Sequence, residues 1–514
     1  MAEARAEPSS PIVKWLALLA GAFWLHYCLV HDVLGLLTVD EIYFAHVFWL
    51  MREGLQPFSD FYSAHLPAYF RILEVLIPAA PAHDLSFVWT LRIVTALAMT
   101  AYAVLLFTLS RRHFLFLLPL LFVFVTAGRM VEIRPDTFGL LLFNLGWWWL
   151  LRSTGRTNIL LAAVCSGAAL FFSARAAVMI VGMGVLLIYL CIRTRDSRTF
   201  GYLVLLAVGF AAIVALHYAS DPATFSLMVR SVYLDPIALM PDLSLAQRVF
   251  SVDRLVLVAM IVTALGAALR EMARGKAGDT ALVVAAACVA QLVLILLDPS
   301  PFQYVYGWAA LPTLAGIALL GRISPRGLDA GLALAGSALA AVMVSLSIGH
   351  TISGRPPLSG SILRITYDRT IATADLKRAP TPRLLSMMVS AERHQGLWNQ
   401  LALLTEICRR MPGPVLAKFY AHPICVPDAR YDWAGLKWPA MLAGESDRGT
   451  GPEFTALLAR RPPELVAWGK HHYRPALTPW GRHLLKDYAV HDGFALHRDA
   501  EREIRRPSAN PGRR

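Results

Sequence analysis

Long apolar runs broken by short charged loops fill the chain as far as about residue 350. Runs that read as membrane helices fall at 15–30, 87–109, 114–127, 138–151, 159–172, 178–192, 202–219, 255–269, 281–297, 305–320 and 328–348. A spanning helix needs about 20 mainly apolar residues, so the shortest of these read as re-entrant or merged segments. Between the first two runs lies a long loop, 35–86, in which residues 42–51 carry the pattern of an amphipathic helix lying along the membrane interface. The pattern changes after residue 350, where Arg, Pro and isolated aromatics replace the runs. Segments 413–420 and 464–468 read as short strands, and 395–409 and 454–460 as helices. The expected architecture is a polytopic α-helical membrane protein with about eleven transmembrane helices (residues 1–350). A small C-terminal extracytoplasmic α/β domain (351–499) and a disordered tail (500–514) follow.

Orientation follows from the loop charges. Arg111 and Arg112, Arg152 and Arg156, Arg193, Arg195 and Arg198, Arg270, Arg274 and Lys276, and Arg322 and Arg326 fall in every second loop. With Arg5 and Lys14 they place the N-terminus in the cytoplasm. The alternate loops hold Asp40, Glu41, Glu53, Asp60, Glu74 and Asp84, then Asp221, Asp235 and Asp242. An odd number of spans puts the C-terminal domain outside, in the periplasm of an inner-membrane protein. The first span has no small-x-small site before Asp32 and carries His26 and Cys28, so it reads as an uncleaved signal anchor.

Composition agrees. Only 16% of the 514 residues are charged, against about 25% in soluble proteins, and mean hydropathy is +0.52. This excludes an ordinary soluble enzyme, a disordered chain and a small disulfide scaffold. The net charge of +13 would suggest a nucleic-acid partner on a soluble protein. Its location argues otherwise: residues 351–514 hold 25 Lys and Arg against 15 Asp and Glu, which is +10 of that total. The basic outer domain suits membrane lipids and an anionic acceptor, not nucleic acid. Cys28, Cys165, Cys191 and Cys288 lie in spans as small apolar filler. Cys408 and Cys425 lie in the outer domain, where a disulfide and a pair of free thiols both remain open.

The chemistry concentrates in the first outer loop. It begins Thr38-Val39-Asp40-Glu41-Ile42-Tyr43 and continues through Gly54, Pro57-Phe58, Asp60-Phe61 and His65-Leu66-Pro67. Adjacent carboxylates at a membrane surface are functional candidates, and one at the start of a helix can take a proton from a hydroxyl or amine. Equally, carboxylates cap helix N-termini. Both readings of Asp40 and Glu41 stand on composition alone. No Gly-rich phosphate loop is present, which disfavours a nucleotide-sugar or ATP substrate.

This loop resembles the first periplasmic loop of GT-C glycosyltransferases, nearest in kind to the protein O-mannosyltransferase and aminoarabinose-transferase type and to enzymes that decorate lipopolysaccharide. Such enzymes take polyprenyl-phosphate sugars as donors. The resemblance continues through Leu91-Arg92, Arg134-Pro135-Asp136, Ser173-Ala174-Arg175 and Gln303-Tyr304 with Leu311-Pro312, in order, over about residues 14 to 350. It implies Asp40 as catalytic base, with Glu41 as the neighbour that positions it or the donor. It implies an inverting single displacement onto an envelope acceptor at the periplasmic face.

A departing phosphate monoester needs cations, and Arg supplies a planar fork that stays charged when half-buried. Arg134 and Arg175 sit at the outer ends of spans, and Arg175 is flanked by the small Ser173, Ala174, Ala176 and Ala177. The alternative is that they pair with Glu132 or Asp136, or snorkel to lipid headgroups. Arg230 and Tyr233 are further donor candidates, as is Tyr304, which also suits an interfacial aromatic belt. Asp60, Asp136 and Arg92 read as acceptor-binding or structural. His65 reads as a phosphate or acceptor contact, or as a loop histidine satisfied by a backbone carbonyl. The aminoarabinose-transferase type has Glu-Lys-Pro-Pro where this chain has Ala64-His65-Leu66-Pro67. A divalent metal therefore lacks one acid ligand here and stays open. The competing class is a transporter or flippase of a lipid-linked or anionic substrate, against which stand the missing inverted repeat and the large outer domain.

Overall fold

The computed structural model of the chain describes residues 37–58, 63–77 except 64, 85–109, 132–218, 222–229, 252–275, 278–298, 303–320, 373–389, 397–410, 415–417, 464–467, 485–491 and 494–499, with isolated residues between 18 and 28, between 118 and 130, and at 232. The elements are numbered along the chain. The first long loop holds α1 (Val39–Arg52) and α2 (Ala68–Leu76). The membrane part holds α3 (Phe87–Phe107), α4 (Asp136–Arg152), α5 (Arg156–Leu170), α6 (Ala176–Thr194), α7 (Ser197–Tyr218), α8 (Pro222–Val229), α9 (Val252–Ala273), α10 (Asp279–Leu297) and α11 (Ala310–Leu320). Seven of the runs read from the sequence thus fold as helices within a few residues of their expected ends. The runs at 15–30, 114–127 and 328–348 lie wholly or mostly outside the described residues.

Among the described residues, α3, α6, residues 254–273 of α9 and α10 are long and apolar enough to cross a membrane. They turn Leu97, Val104, Val181, Val185, Val262 and Val293 outward. Their other faces close on a core that includes Tyr102, Phe143, Trp147, Met183, Leu294 and Trp308. Backbones come close where side chains are small. A Cβ on Gly316 of α11 would stand 2.6 Å from that of Ala264 on α9, so a larger residue would force these helices apart.

The run at 305–320 departs from expectation. It is not one helix: a 3-10 turn, Gln303–Ala309, precedes α11. Pro312 has no N–H for the carbonyl of Trp308, four residues back, so the α-helical ladder cannot run unbroken into that turn.

The first loop also departs. The segment expected to lie on the membrane interface is α1, and its sides are nearly all covered: Ile42, Phe44, Ala45, Val47, Phe48, Leu50 and Met51 are buried. It shares one buried cluster with Phe87, Val88 and Leu91 of α3 and with residues of the C-terminal part such as Leu401, Leu404 and Leu496. A local pattern of polar and apolar positions cannot reveal a cover that comes from 350 residues further along. The backbone N–H of Leu37 donates to Gln400 Oε1 at 2.7 Å, both residues being buried. The C-terminal part and the first loop are therefore on the same side of the molecule.

That C-terminal part holds α12 (Thr373–Arg378), α13 (Thr381–Val389) and α14 (Leu397–Arg410), with strands β1 (Val415–Ala417), β2 (Leu465–Ala467), β3 (Tyr488–His491) and β4 (Phe494–His497). The sheet order is β1-β2-β4-β3, with β1 and β2 parallel and the remaining pairs antiparallel. The two strands and the helix at 395–409 stand where the sequence placed them, while the helix expected at 454–460 and the tail 500–514 lie outside the described residues. Cys408 on α14 is disulfide-bonded, whereas Cys28, Cys165, Cys191 and Cys288 are free thiols. Cys425 lies outside the described residues.

Candidate functional site

Thr38 starts α1 with a reciprocal cap. Its hydroxyl accepts from Glu41 N–H at 3.3 Å, and its own N–H donates to Glu41 Oε2 at 3.0 Å. Glu41 is committed further. Arg92 of α3 donates to it through Nε at 2.9 Å and Nη2 at 2.7 Å, and the N–H of Ile133 donates to Oε1 at 3.3 Å. One carboxylate thus ties the start of α1, the second turn of α3 and the segment before α4 together. Both partners are buried, Arg92 at 0% and Glu41 at 2% exposure. Removing one partner from such a pair strands a buried charge. Glu41→Ala is expected to cost about 3–5 kcal/mol, read as a fall in thermal unfolding midpoint and in membrane yield. A midpoint equal to that of the parent protein would show that the pair holds nothing together.

Asp40 faces another way. Its side chain is 32% exposed, and its Oδ2 accepts from Arg134 Nη2 at 2.8 Å. The sequence left capping and catalysis open for both carboxylates, and the fold divides them. Glu41 caps and Asp40 opens toward solvent beside a guanidinium.

Arg134 is buried just ahead of α4, 4.0 Å from Glu132 Oε2 and 3.9 Å from Asp136 Oδ2. Its Nε and Nη1 have no hydrogen-bond partner among the described residues. Asp136, at the first turn of α4, accepts at Oδ1 from the Ser173 hydroxyl at 2.6 Å and from Arg175 Nη1 at 3.3 Å. Arg175, just ahead of α6, also donates through Nε to Asp298 Oδ2 at 2.7 Å. The expected alternative, that these arginines pair with Glu132 or Asp136, is thus realised in part. Asp298, which follows α10 directly, is a partner that the sequence reading missed. Its only signal was an acid closing an apolar run at the same end of the bundle as Arg175.

Tyr304, in the 3-10 turn, joins the two cations. Its ring lies 5.1 Å from the Arg134 guanidinium and 5.0 Å from that of Arg175. It is 2% exposed, so it belongs to the interior and not to an interfacial belt.

His65 reaches the cluster from the loop. Its ring packs edge-on to Phe44 at 4.8 Å, and Ser63 shapes its turn by donating to the His65 carbonyl and accepting from its N–H. Burial lowers its pKa to about 4, with Asp136 and Asp40 pulling it up and Arg134 and Arg175 pushing it down. The imidazole is therefore neutral across the working range. An unfolded chain protonates His65 near 6.5 while the folded one resists until about 4, so its contribution to stability is whole above 6.5 and is lost as pH falls through 4. The pH–rate profile of His65→Gln is expected to keep the parent's shape between about pH 5 and 8. A break near 6.5 in the parent that the variant lacks would contradict this placement.

Asp40, His65, Arg134, Asp136, Arg175 and Tyr304 thus gather into one cluster, with Glu41 and Arg92 as its frame. Asp60, Arg230 and Tyr233 lie outside the described residues. Among the described residues no group of three or more His, Cys, Asp or Glu is placed to hold a metal ion. The carboxylates Asp40, Glu132 and Asp136 lie around the Arg134 guanidinium.

No protein-family model matches the chain, and neither does any curated protein. Among solved structures it is similar to ArnT from Cupriavidus metallidurans bound to undecaprenyl phosphate, at 15% identity and TM-score 0.46, over 87% of this chain and 81% of that one. It is similar also to ArnT from the same organism in the apo state, at 16% identity and TM-score 0.46, over 92% and 85%.

Proposed function

We propose that the chain is a membrane glycosyltransferase that moves a sugar from a polyprenyl-phosphate donor to an envelope acceptor on the outer face of the inner membrane. The observation that carries this reading is a third-exposed carboxylate, Asp40, paired with Arg134, whose guanidinium and that of Arg175 both lie against one buried tyrosine ring. The order of motifs along the membrane part supports it.

In this mechanism Asp40 takes the proton of an acceptor hydroxyl or amine. The acceptor atom attacks the anomeric carbon, and the bond from that carbon to the phosphate oxygen breaks with its electron pair on the phosphate. One displacement inverts the anomeric centre. Arg134 and Arg175 bind the phosphate and offset the charge that grows on it, and the two Arg134 nitrogens without a hydrogen bond among the described residues, Nε and Nη1, suit its oxygens. A carboxylate pair of the glycosidase kind is not needed, because phosphate departs without an acid. Ala174, next to Arg175, packs with Phe58, Leu66, Met228 and Val232, an apolar flank that suits the first isoprene units. The N-terminus lies in the cytoplasm, and the C-terminal part shares the outer face with Asp40.

Comparing the envelope glycolipids of a deletion strain with its parent by mass spectrometry tests the reading. A species lighter by one sugar residue in the deletion strain is expected, and it names donor sugar and acceptor together. Identical lipid, polysaccharide and glycoprotein profiles would overturn it.

A further inference from the structure

The 3-10 turn that carries Tyr304 is broken backbone inside the membrane part, and side chains from three other helices meet it. Gln291 Nε2 of α10 donates to the carbonyl of Val305 at 2.9 Å. The carbonyl of Gly307 accepts from Asn144 Nδ2 of α4 at 3.0 Å and from the Tyr102 hydroxyl of α3 at 3.3 Å. Asn144 Oδ1 accepts in turn from the N–H of Leu311 at 3.3 Å, spanning the junction with α11. All three side chains have 0% exposure.

Hydrocarbon offers no partner to a carbonyl left out of the helical ladder, so irregular backbone at this depth survives only where protein groups satisfy it. The turn is also pressed against its supports. A Cβ on Gly307 would meet the Thr126 methyl at 2.8 Å, the Tyr102 hydroxyl at 3.1 Å and Leu140 at 3.2 Å. Polar side chains serving only to join helices need not converge on one seven-residue turn. These do, and the turn presents a ring that both guanidinium groups flank.

We propose that Asn144, Gln291 and Tyr102 are positioning residues for the donor phosphate. They hold the 3-10 turn so that Tyr304 keeps the Arg134 and Arg175 guanidinium groups at a fixed separation. They touch no reacting atom. With the turn loosened, the two cations lose the spacer that presents them together to one phosphate. This inference rests on reading Arg134 and Arg175 as the phosphate site.

The test uses the full-length protein in nanodiscs, with a short-chain polyprenyl monophosphate lacking sugar as the probe. Gln291→Met removes the donor to Val305 at similar length, Asn144→Leu removes the bridge, and Tyr102→Phe is the mildest change should either of the others fail to fold. Hydrogen exchange over residues 303–311 reports the turn independently of any ligand. Gln291→Met is expected to bind the probe roughly tenfold more weakly, the scale of one well-placed buried hydrogen bond, and Asn144→Leu, which loses two, at least as weakly. Exchange should rise over that segment and not in α3, α4 or α10, and KM for the donor should rise more than kcat falls. Faster exchange with unchanged affinity would overturn the proposal, as would no change in either. If Arg175→Ala binds the probe as tightly as the parent, the phosphate reading itself fails and this inference falls with it.

Discussion

Asp40→Asn is expected to lower kcat for sugar transfer by about 10²–10⁴-fold while donor binding and membrane yield stay near those of the parent protein. The substitution changes few atoms. The amide keeps an oxygen for Arg134 Nη2, which now stands 2.8 Å from Oδ2, and Glu41 keeps every contact that fixes the start of α1. What the variant lacks is a basic oxygen at a position that solvent and an acceptor can reach. A base missing from its place affects turnover far more than binding. Glu41→Gln supplies the contrast. It disturbs a buried pair with Arg92, so its effect should appear first in unfolding temperature and yield. If Asp40→Asn turned over at the parental rate, the first turn of α1 would carry no catalytic base.

The second large effect is expected at Arg175. Arg175→Ala should reduce kcat/KM for the donor by at least about 10²-fold, the scale seen when a preorganised charge-stabilising donor is removed. Arg175→Lys should recover part of this, because it keeps the charge. It cannot reproduce two directed bonds, at 2.7 Å to Asp298 and 3.3 Å to Asp136, together with stacking on Tyr304. An Ala variant with unimpaired kcat/KM would mean that Arg175 only neutralises its two acids. Measuring the Asp298→Asn variant beside it separates the roles. Loss of the Nε partner should weaken the orientation of the fork without removing its charge, giving a smaller defect than Arg175→Ala.

The helices of the membrane part were legible because a spanning run is a strong, local pattern, as 87–109 and 281–297 illustrate against α3 and α10. The site was legible as a set of residues but not as a set of pairs. Asp40 and Glu41 are adjacent in sequence, yet a helix turns neighbouring side chains about 100° apart. Which of the two meets Arg92, 51 residues on, depends on how α1 packs against α3. Asp298 was unread because its partner lies 123 residues earlier, and no local rule joins them. The interfacial placement of α1 failed for the same reason, since the buried cluster it joins includes residues of the C-terminal part. The hairpin of β3 and β4 was a different kind of miss. Tyr488–His491 and Phe494–His497 flank Asp492-Gly493, a short-range hairpin signal that was present in the sequence and not used. The break before α11 could have been inferred from Pro312, whereas the polar residues that support it are spread over three helices.

The most direct test of the account reconstitutes the purified protein in vesicles with a labelled polyprenyl-phosphate sugar and an envelope acceptor extract. The account predicts that label moves to the acceptor, that one polyprenyl monophosphate appears per sugar transferred, and that the new linkage has the opposite anomeric configuration. Asp40→Asn should slow transfer and polyprenyl monophosphate release together, by the same factor of about 10²–10⁴. Labelled donor that crosses the vesicle membrane chemically unchanged, with no label on the acceptor, would contradict the account and identify a transporter instead.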